Sequence, residues 1–430
     1  MKMIKRIKLS ITILFAIMWL LISIKLSLYW IKELNNVFHI VIVIIIITGI
    51  AYLPGFIGIN LIASLILLKL KPNIQVNPCQ VTILIPIHNE EKNIYDTLFS
   101  IARQDYEGMI KIIVIDNDSR DQTLLKVKQA IEDFNLDIDI LSELQLGKDK
   151  ALNKGLAYVN TPYFITLDGD TVLHFQAIRT IFSTIINGGE EVGAVAGGIL
   201  VKNDDENLLT KMQVYDYLLS ISSIKNMQSM YSSTLVAQGA FSIYQTAIIK
   251  ALGGWDDVLG EDIILTWKLL KIKKQVLFEP RALCFTVVPN NIKSFLKQRS
   301  RWARGMIEGL RLIKPWEQGT IYAKYLTLID FIIPFIDLSY VLFFIPGVIL
   351  GLANKFYLFG PFSLSVIPLV VFCFYLMYET QKRNVLKPLK VKLKLNLIAF
   401  LLFIIIFQAL IAYASLIGYF QEWFKIKRKW

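Results

Sequence analysis

The sequence has little of what builds a metal or disulfide scaffold. Its three cysteines, Cys79, Cys284 and Cys373, are scattered and form no CxxC pair. That excludes a disulfide framework and a thiolate zinc site. Its three histidines, His39, His88 and His174, lie too far apart for a local metal cluster. No internal repeat or low-complexity segment occurs. No small-residue cleavage pattern follows the apolar run Leu9–Ile24, so that run reads as a retained span rather than a signal peptide.

What is present is apolar sequence at both ends. The 430 residues are 55% hydrophobic and carry a net charge of +12. Long apolar runs flank a charged, motif-bearing middle, the pattern of a membrane protein with an inserted domain. Lysine and arginine cluster beside the apolar runs: Lys2, Lys5, Arg6 and Lys8 first, Lys382–Lys394 late, Lys425–Lys429 last. This placement fits positive-inside topology and contact with anionic lipid headgroups. It argues against nucleic acid as the partner.

The apolar stretches expected to reach the bilayer are Leu9–Ile24, His39–Leu70, Leu326–Leu352, Phe356–Tyr378 and Leu395–Tyr419. A span needs about 20 residues. Five spans would put the basic tail opposite the N-terminus, so one stretch is re-entrant, interfacial or not a span. The expected organisation is residues 1–70 as an N-terminal membrane region, 71–290 as a cytoplasmic domain, 291–325 as interfacial amphipathic helices and 326–430 as a C-terminal membrane region.

From residue 81 short β-branched runs alternate with amphipathic segments. Strands are expected at Val81–Pro86, Lys111–Ile115, Leu136–Leu141, Tyr163–Leu167 and Val192–Val201. Helices are expected at Asn89–Arg103, Asp121–Phe134 and Lys148–Val159. Such alternation predicts an α/β, Rossmann-like fold with a parallel sheet, which binds ligands at the carboxyl ends of its strands.

Four clusters carry candidate chemistry. Asp116-Asn117 follows a strand, where an Asx turn is the plain reading and a contact to a nucleobase or ribose the functional one. Asp168-Gly169-Asp170 follows another strand. Two carboxylates there suit a hard divalent cation completed by substrate phosphates, and Gly169 leaves room for close approach to the backbone. Glu261-Asp262 precedes an amphipathic helix, as helix capping favours and as a general base at a pocket mouth requires. Gln298-Arg-Ser-Arg301-Trp302 offers guanidinium groups for phosphates and a flat ring for a sugar; the plain alternative is a juxtamembrane anchor.

In order and spacing, Pro86-Ile-His-Asn-Glu90, Ile115-Asp-Asn117, Gly147-Lys-Asp-Lys-Ala-Leu-Asn153, Asp168-Gly-Asp170, Gly260-Glu-Asp262 and Gln298-Arg-Ser-Arg-Trp302 resemble the processive family 2 glycosyltransferases. Within that family the sequence is most similar to the poly-β-1,6-N-acetylglucosamine synthases, over about residues 80–310. The resemblance implies a GT-A fold between transmembrane helices and a UDP-sugar donor. It assigns Asp116, Asn117, Lys148, Asp168, Gln298 and Arg301 to the donor, and Asp168 and Asp170 to Mg2+ or Mn2+. Asp262 becomes the catalytic base. Trp302, Gln238 and Glu261 fall on the acceptor side.

The implied reaction is inverting β-transfer of a sugar, N-acetylglucosamine by the resemblance, onto a growing polysaccharide. The implied location is the cell membrane, with the catalytic domain cytoplasmic and a small membrane accessory subunit as partner. The alternatives are single-sugar transfer to a lipid carrier, a synthase of another β-linked polymer, and a transporter or scaffold that merely binds nucleotide. The sequence departs from the family pattern at His88, Asn117, Asp216, Gln238 and Gly260.

Overall fold

The computed structural model describes residues 2–70, 74, 76–355, 358 and 366–426. Eight strands form one sheet: β1 Val81–Ile87, β2 Ile110–Asp116, β3 Ile138–Ser142, β4 Tyr163–Leu167, β5 Val172–Leu173, β6 Val192–Val201, β7 Phe241–Gln245 and β8 Gln275–Thr286. Their spatial order is β3-β2-β1-β4-β7-β6-β8-β5.

The half that begins the domain is parallel, as expected: β1 pairs with β2 and β4, and β2 with β3. The other half is mixed. β7 runs antiparallel to both β4 and β6, while β6 and β8 are parallel. β8 was hidden in the sequence because Glu279-Pro280-Arg281 interrupts its apolar pattern. The sheet absorbs that interruption with a register shift between Gly197 and Gly198. A Cβ on Gly198 would lie 2.5 Å from the Pro280 carbonyl oxygen, so only glycine lets the strands close there.

Alternate residues of the central strands feed two cores. Ile83, Ile85, Ile112, Val114, Ile165 and Leu167 face the helices Ile94–Ala102, Thr123–Phe134 and Ala177–Gly188. Leu84, Ile113, Ile115, Phe164 and Tyr244 face the opposite side, covered by Lys148–Ala157, the helical stretch Leu208–Met230 and Glu261–Lys271. Each fully buried Leu or Ile contributes about 1.5–3 kcal/mol of hydrophobic stabilisation. The second core does not stop at the domain. It runs on through Leu61, Ile62, Ala399, Phe403 and Phe407 into the apolar terminal helices.

Among the described residues, four helices are long and apolar enough to cross a membrane: Met3–Asn35, Ile40–Ile66, Ile321–Leu352 and Leu397–Trp423. The expected stretch Phe356–Tyr378 lies partly outside the described residues. Its described part begins the helix Val366–Gln381, 16 residues long. Met377 in this helix, and Val385 and Leu386 after it, pack into the core shared with the sheet. The tail beyond Ile426, Lys71–Asn73 and Gln75 also lie outside the described residues. Lys5, near the start of the first helix, donates to Ser232 of the sheet domain at 2.5 Å, and Lys8 donates to the Leu67 carbonyl at 3.1 Å. The first two helices thus form a hairpin whose open end rests on the domain.

Candidate active site

The strand ends explain why the acidic groups converge. β4 delivers Asp168 and Asp170 at its carboxyl end, beside the ends of β1 and β2. The helix Lys148–Ala157 begins under them, and its first residue reaches across so that the Lys148 ammonium pairs with the Asp168 carboxylate. Gly239 makes room for that reach: a Cβ there would sit 2.6 Å from Lys148 Nζ. Burial works against the Lys148 charge, yet Asp168, Glu261 and Asp262 outweigh it and hold the pKa above the ordinary lysine value.

Asp170 turns into the domain. Its Oδ1 accepts from Thr171 at 3.1 Å and from Thr286 on β8 at 3.2 Å. Burial and the Asp168 charge push its pKa upward. Glu90, at the end of β1, is pushed up to about 7, mainly by burial and then by Asp170, Asp168 and Asp121, against the lowering effect of its Asn93 hydrogen bond. The space beside Gly169 is taken by protein: an added Cβ would meet Ile87 at 3.0 Å and Glu90 at 3.2 Å. Glycine here lets the turn after β4 pack closely against the end of β1.

The second carboxylate pair comes from Glu261 and Asp262, the first residues of the helix Glu261–Lys271. Glu261 is pushed up to about 8 by burial and by its neighbour Asp262, so it stays largely protonated at neutral pH. The loop before the pair is seated on the helix Ile292–Leu312. Leu259 N–H donates to Glu308 at 2.8 Å, and Gly260 touches Gly305 backbone to backbone. That helix is capped by Asn291, whose side chain accepts from Ser294 N–H at 2.9 Å. It carries Gln298, Arg301 and Trp302 toward the same space.

These elements enclose a cavity of about 450 Å³. Lys148, Asp168, Asp170, Gln238, Glu261, Asp262, Gln298, Arg301 and Trp302 all line it. Buried oxygens of Gln238 and Gln298 have no hydrogen-bond partner among the described residues, which marks the walls as built for a polar guest. Lys225 also lines it, and no sequence pattern pointed to that residue. Its ammonium donates to the Val236 carbonyl at 3.0 Å, and burial lowers its pKa to about 7 against the pull of Asp262. Thr286 was missed for the same reason: its tie to Asp170 spans more than a hundred residues.

Asp116 and Asn117 stand apart from the cavity lining. Both Asn117 amide hydrogens are taken, by the Glu143 and Gln145 carbonyls at 2.9 and 2.8 Å, and its Oδ1 accepts from Gly147 N–H at 2.8 Å. Its side chain thus fixes the loop that ends at Lys148.

Residues 82–253 match the family model described as glycosyl transferase family 2. Over those residues the chain is similar to a family 2 glycosyltransferase domain. That stretch includes Asp168, Asp170 and Lys148; Glu261, Asp262 and the Gln298–Trp302 cluster follow it in sequence. The chain is similar to the poly-beta-1,6-N-acetyl-D-glucosamine synthase of Staphylococcus epidermidis strain ATCC 35984, 33% identical over 229 residues, 52% of this chain and 54% of the relative. It is also similar to that of Staphylococcus aureus strain COL, 30% identical over 243 residues, 55% and 57% of the two chains. The chain spans just over half the length of the curated relatives it matches. In fold, the chain resembles a mannosyltransferase of Pyrobaculum calidifontis solved with GDP-Man and Mn2+, with a TM-score of 0.58 at 16% identity, covering 86% of this chain and 99% of that one.

Proposed function

We propose that this protein is a membrane-embedded, inverting β-glycosyltransferase that polymerises N-acetylglucosamine from its UDP-linked donor. The observation that carries the reading is that one cavity is lined by Asp168 and Asp170 together with Asp262, Gln298, Arg301 and Trp302. Supporting it are the polymer named by the curated relatives and the chemistry of the groups present.

The donor departs as a diphosphate, and its growing charge needs cations around it. Arg301, Gln298 and Lys148 face that position. Asp168 and Asp170 would hold a Mg2+ or Mn2+ ion, which would neutralise the leaving diphosphate. The donor set suits it: two carboxylates close enough to raise the pKa of Asp170, with the remaining positions left to phosphate oxygens and water.

Asp262 is the proposed base. A sugar hydroxyl has a high pKa, so its proton must pass to a positioned carboxylate in the transition state. One base and in-line displacement invert the anomeric carbon, giving a β-linkage from an α-linked donor. Trp302 and Gln238, with Glu261 beside them, are the proposed acceptor platform. Asp116 and the loop held by Asn117 are the proposed uridine side. The proposed division keeps residues 71–290 as the catalytic domain, 291–325 as the helical wall at the interface, and 1–70 and 326–430 as membrane regions.

Four crossings would return the end of the chain to its starting side, as the basic runs Lys2–Lys8 and Lys425–Lys429 require. The contact of Lys5 with Ser232 supports a domain on that same, cytoplasmic side. A small membrane subunit is the proposed partner.

The test is synthesis in sealed, inside-out vesicles that contain the full chain. Labelled UDP-N-acetylglucosamine should give an alkali-stable polymer with β-linked residues, and chelation should stop incorporation until Mg2+ or Mn2+ is restored. Label found only on a lipid-extractable monosaccharide would overturn polymerisation. Incorporation undiminished by chelation would overturn the metal role of Asp168 and Asp170.

A further inference from the structure

Arg299 and Asp216 lie just behind the cavity wall. Both are almost wholly buried, 6% and 4% exposed. Arg299 sits in the helix Ile292–Leu312, between Gln298 and Arg301. Asp216 begins a wide helical turn, Asp216–Ile221, within the stretch Leu208–Met230. Their charged ends are 2.7 Å apart. Three rings surround the guanidinium: Trp302 with its centroid at 4.3 Å, Phe295 at 5.2 Å and Tyr217 at 5.9 Å.

A buried ion pair is a poor source of stability, since well-packed apolar residues in its place are often as stable or more so. The pair is better explained by what it holds. Trp302 is the ring nearest the guanidinium, three residues on along the same helix, where side chains are neighbours. It remains 38% exposed and lines the cavity. A planar guanidinium pinned by a carboxylate from a second element gives the indole one fixed face to rest on. The exposed part of the ring lies in the cavity lining, where a guest would meet it. The wide turn brings Asp216 to the helix Ile292–Leu312 and sets the next residue, Tyr217, in the cavity wall.

We propose that the Asp216–Arg299 pair is a clamp that positions Trp302, and that through the angle of this ring it sets how long a growing sugar chain stays docked between transfers. The second half of this proposal rests on the polymerase reading above. Asp216 and Arg299 are positioning residues: neither lines the cavity.

Two measurements on the full-length protein test it. Hydroxyl-radical footprinting reads the ring directly. In Asp216→Asn and in Arg299→Lys, which keeps the charge and loses the planar stack, oxidation of Trp302 should rise by about twofold, within the ceiling set by a ring already 38% exposed. Trp267, fully buried, serves as the fold control and should stay protected. Asp216→Glu should restore protection of Trp302. Trp302 oxidation unchanged in both variants, with Trp267 protected, overturns the clamp.

The second measurement is product length from UDP-N-acetylglucosamine. Asp216→Asn should shorten the polymer about tenfold while the KM for the donor holds its wild-type value. Full-length polymer from a variant whose Trp302 is freely oxidised overturns the link to chain retention. Wild-type protein that makes no polymer sinks the polymerase reading, and with it that link, while the footprint still decides the clamp.

Discussion

Gly260 and Gly305 meet with no side chain between them: a Cβ on Gly260 would lie 2.9 Å from the Gly305 Cα, and one on Gly305 2.8 Å from the Gly260 Cα. The loop that presents Glu261 and Asp262 therefore rests directly on the helix that presents Gln298, Arg301 and Trp302. Gly305→Ala should drive the two elements apart. Overpacking of this kind costs about 1–3 kcal/mol, and the displaced Asp262 should lower sugar transfer more than it lowers UDP affinity. Thermal unfolding and transfer rates in the same membranes check both effects; a variant with wild-type activity would show that the contact does not set the site.

Asp262→Asn should abolish transfer and leave UDP binding nearly intact. The substitution keeps the size of the side chain and its acceptor oxygen, and removes only the ability to take a proton. Calorimetric titration with UDP and a turnover assay separate the two. Turnover within about tenfold of wild type would remove Asp262 as the base.

Glu261 makes the ligand-free protein less stable as the pH rises. Its carboxyl titrates near 4.5 when exposed and at about 8 in the folded site. The folded state therefore binds this proton more tightly than the unfolded state does. The group imposes no penalty below pH 4.5, a growing one between 4.5 and about 8, and its full penalty above that. Glu261→Gln should raise the Tm by an amount that grows across this window and then levels off. A gain independent of pH would show that the buried proton is not the cause.

Asn117→Ala should loosen the loop from Glu143 to Lys148. Three hydrogen bonds would be lost and their backbone partners left unpaired. We expect a destabilisation of about 2–4 kcal/mol and a weaker hold on UDP, because Lys148 follows the loop directly. Unchanged stability in denaturant titration would contradict this.

The parallel half of the sheet was legible because each of its strands is a short β-branched run followed by an amphipathic helix. Val192–Val201 was legible for its apolar length. β7 and β8 were not: β7 is five residues long, and β8 carries Glu279, Pro280 and Arg281 at its bend. The helix expected from Asn89 begins only at Ile94. Asn89 adopts a positive φ of 56° and binds Ser119 and Arg120 across the loop, so local propensity yields there to a long-range contact. In the site, the acidic pairs and the Gln298–Trp302 cluster could be read from their order along the chain. The partners that only folding brings together, Gly305 for Gly260, Thr286 for Asp170 and Asp216 for Arg299, leave no local trace.

The helix Ile292–Leu312 has a second face, turned to the last apolar helix. A Cβ on Gly418 would lie 2.3 Å from the Ser300 carbonyl oxygen, and Glu422 binds both Arg304 and Arg311, at 2.9 and 2.8 Å. One rod thus bears the cavity on one flank and a helix suited to the bilayer on the other. The cavity cannot be excised with the sheet that shapes most of it. A soluble fragment that ended before Leu397 would keep its carboxylates and lose the buttress that holds Gln298, Arg301 and Trp302 against them.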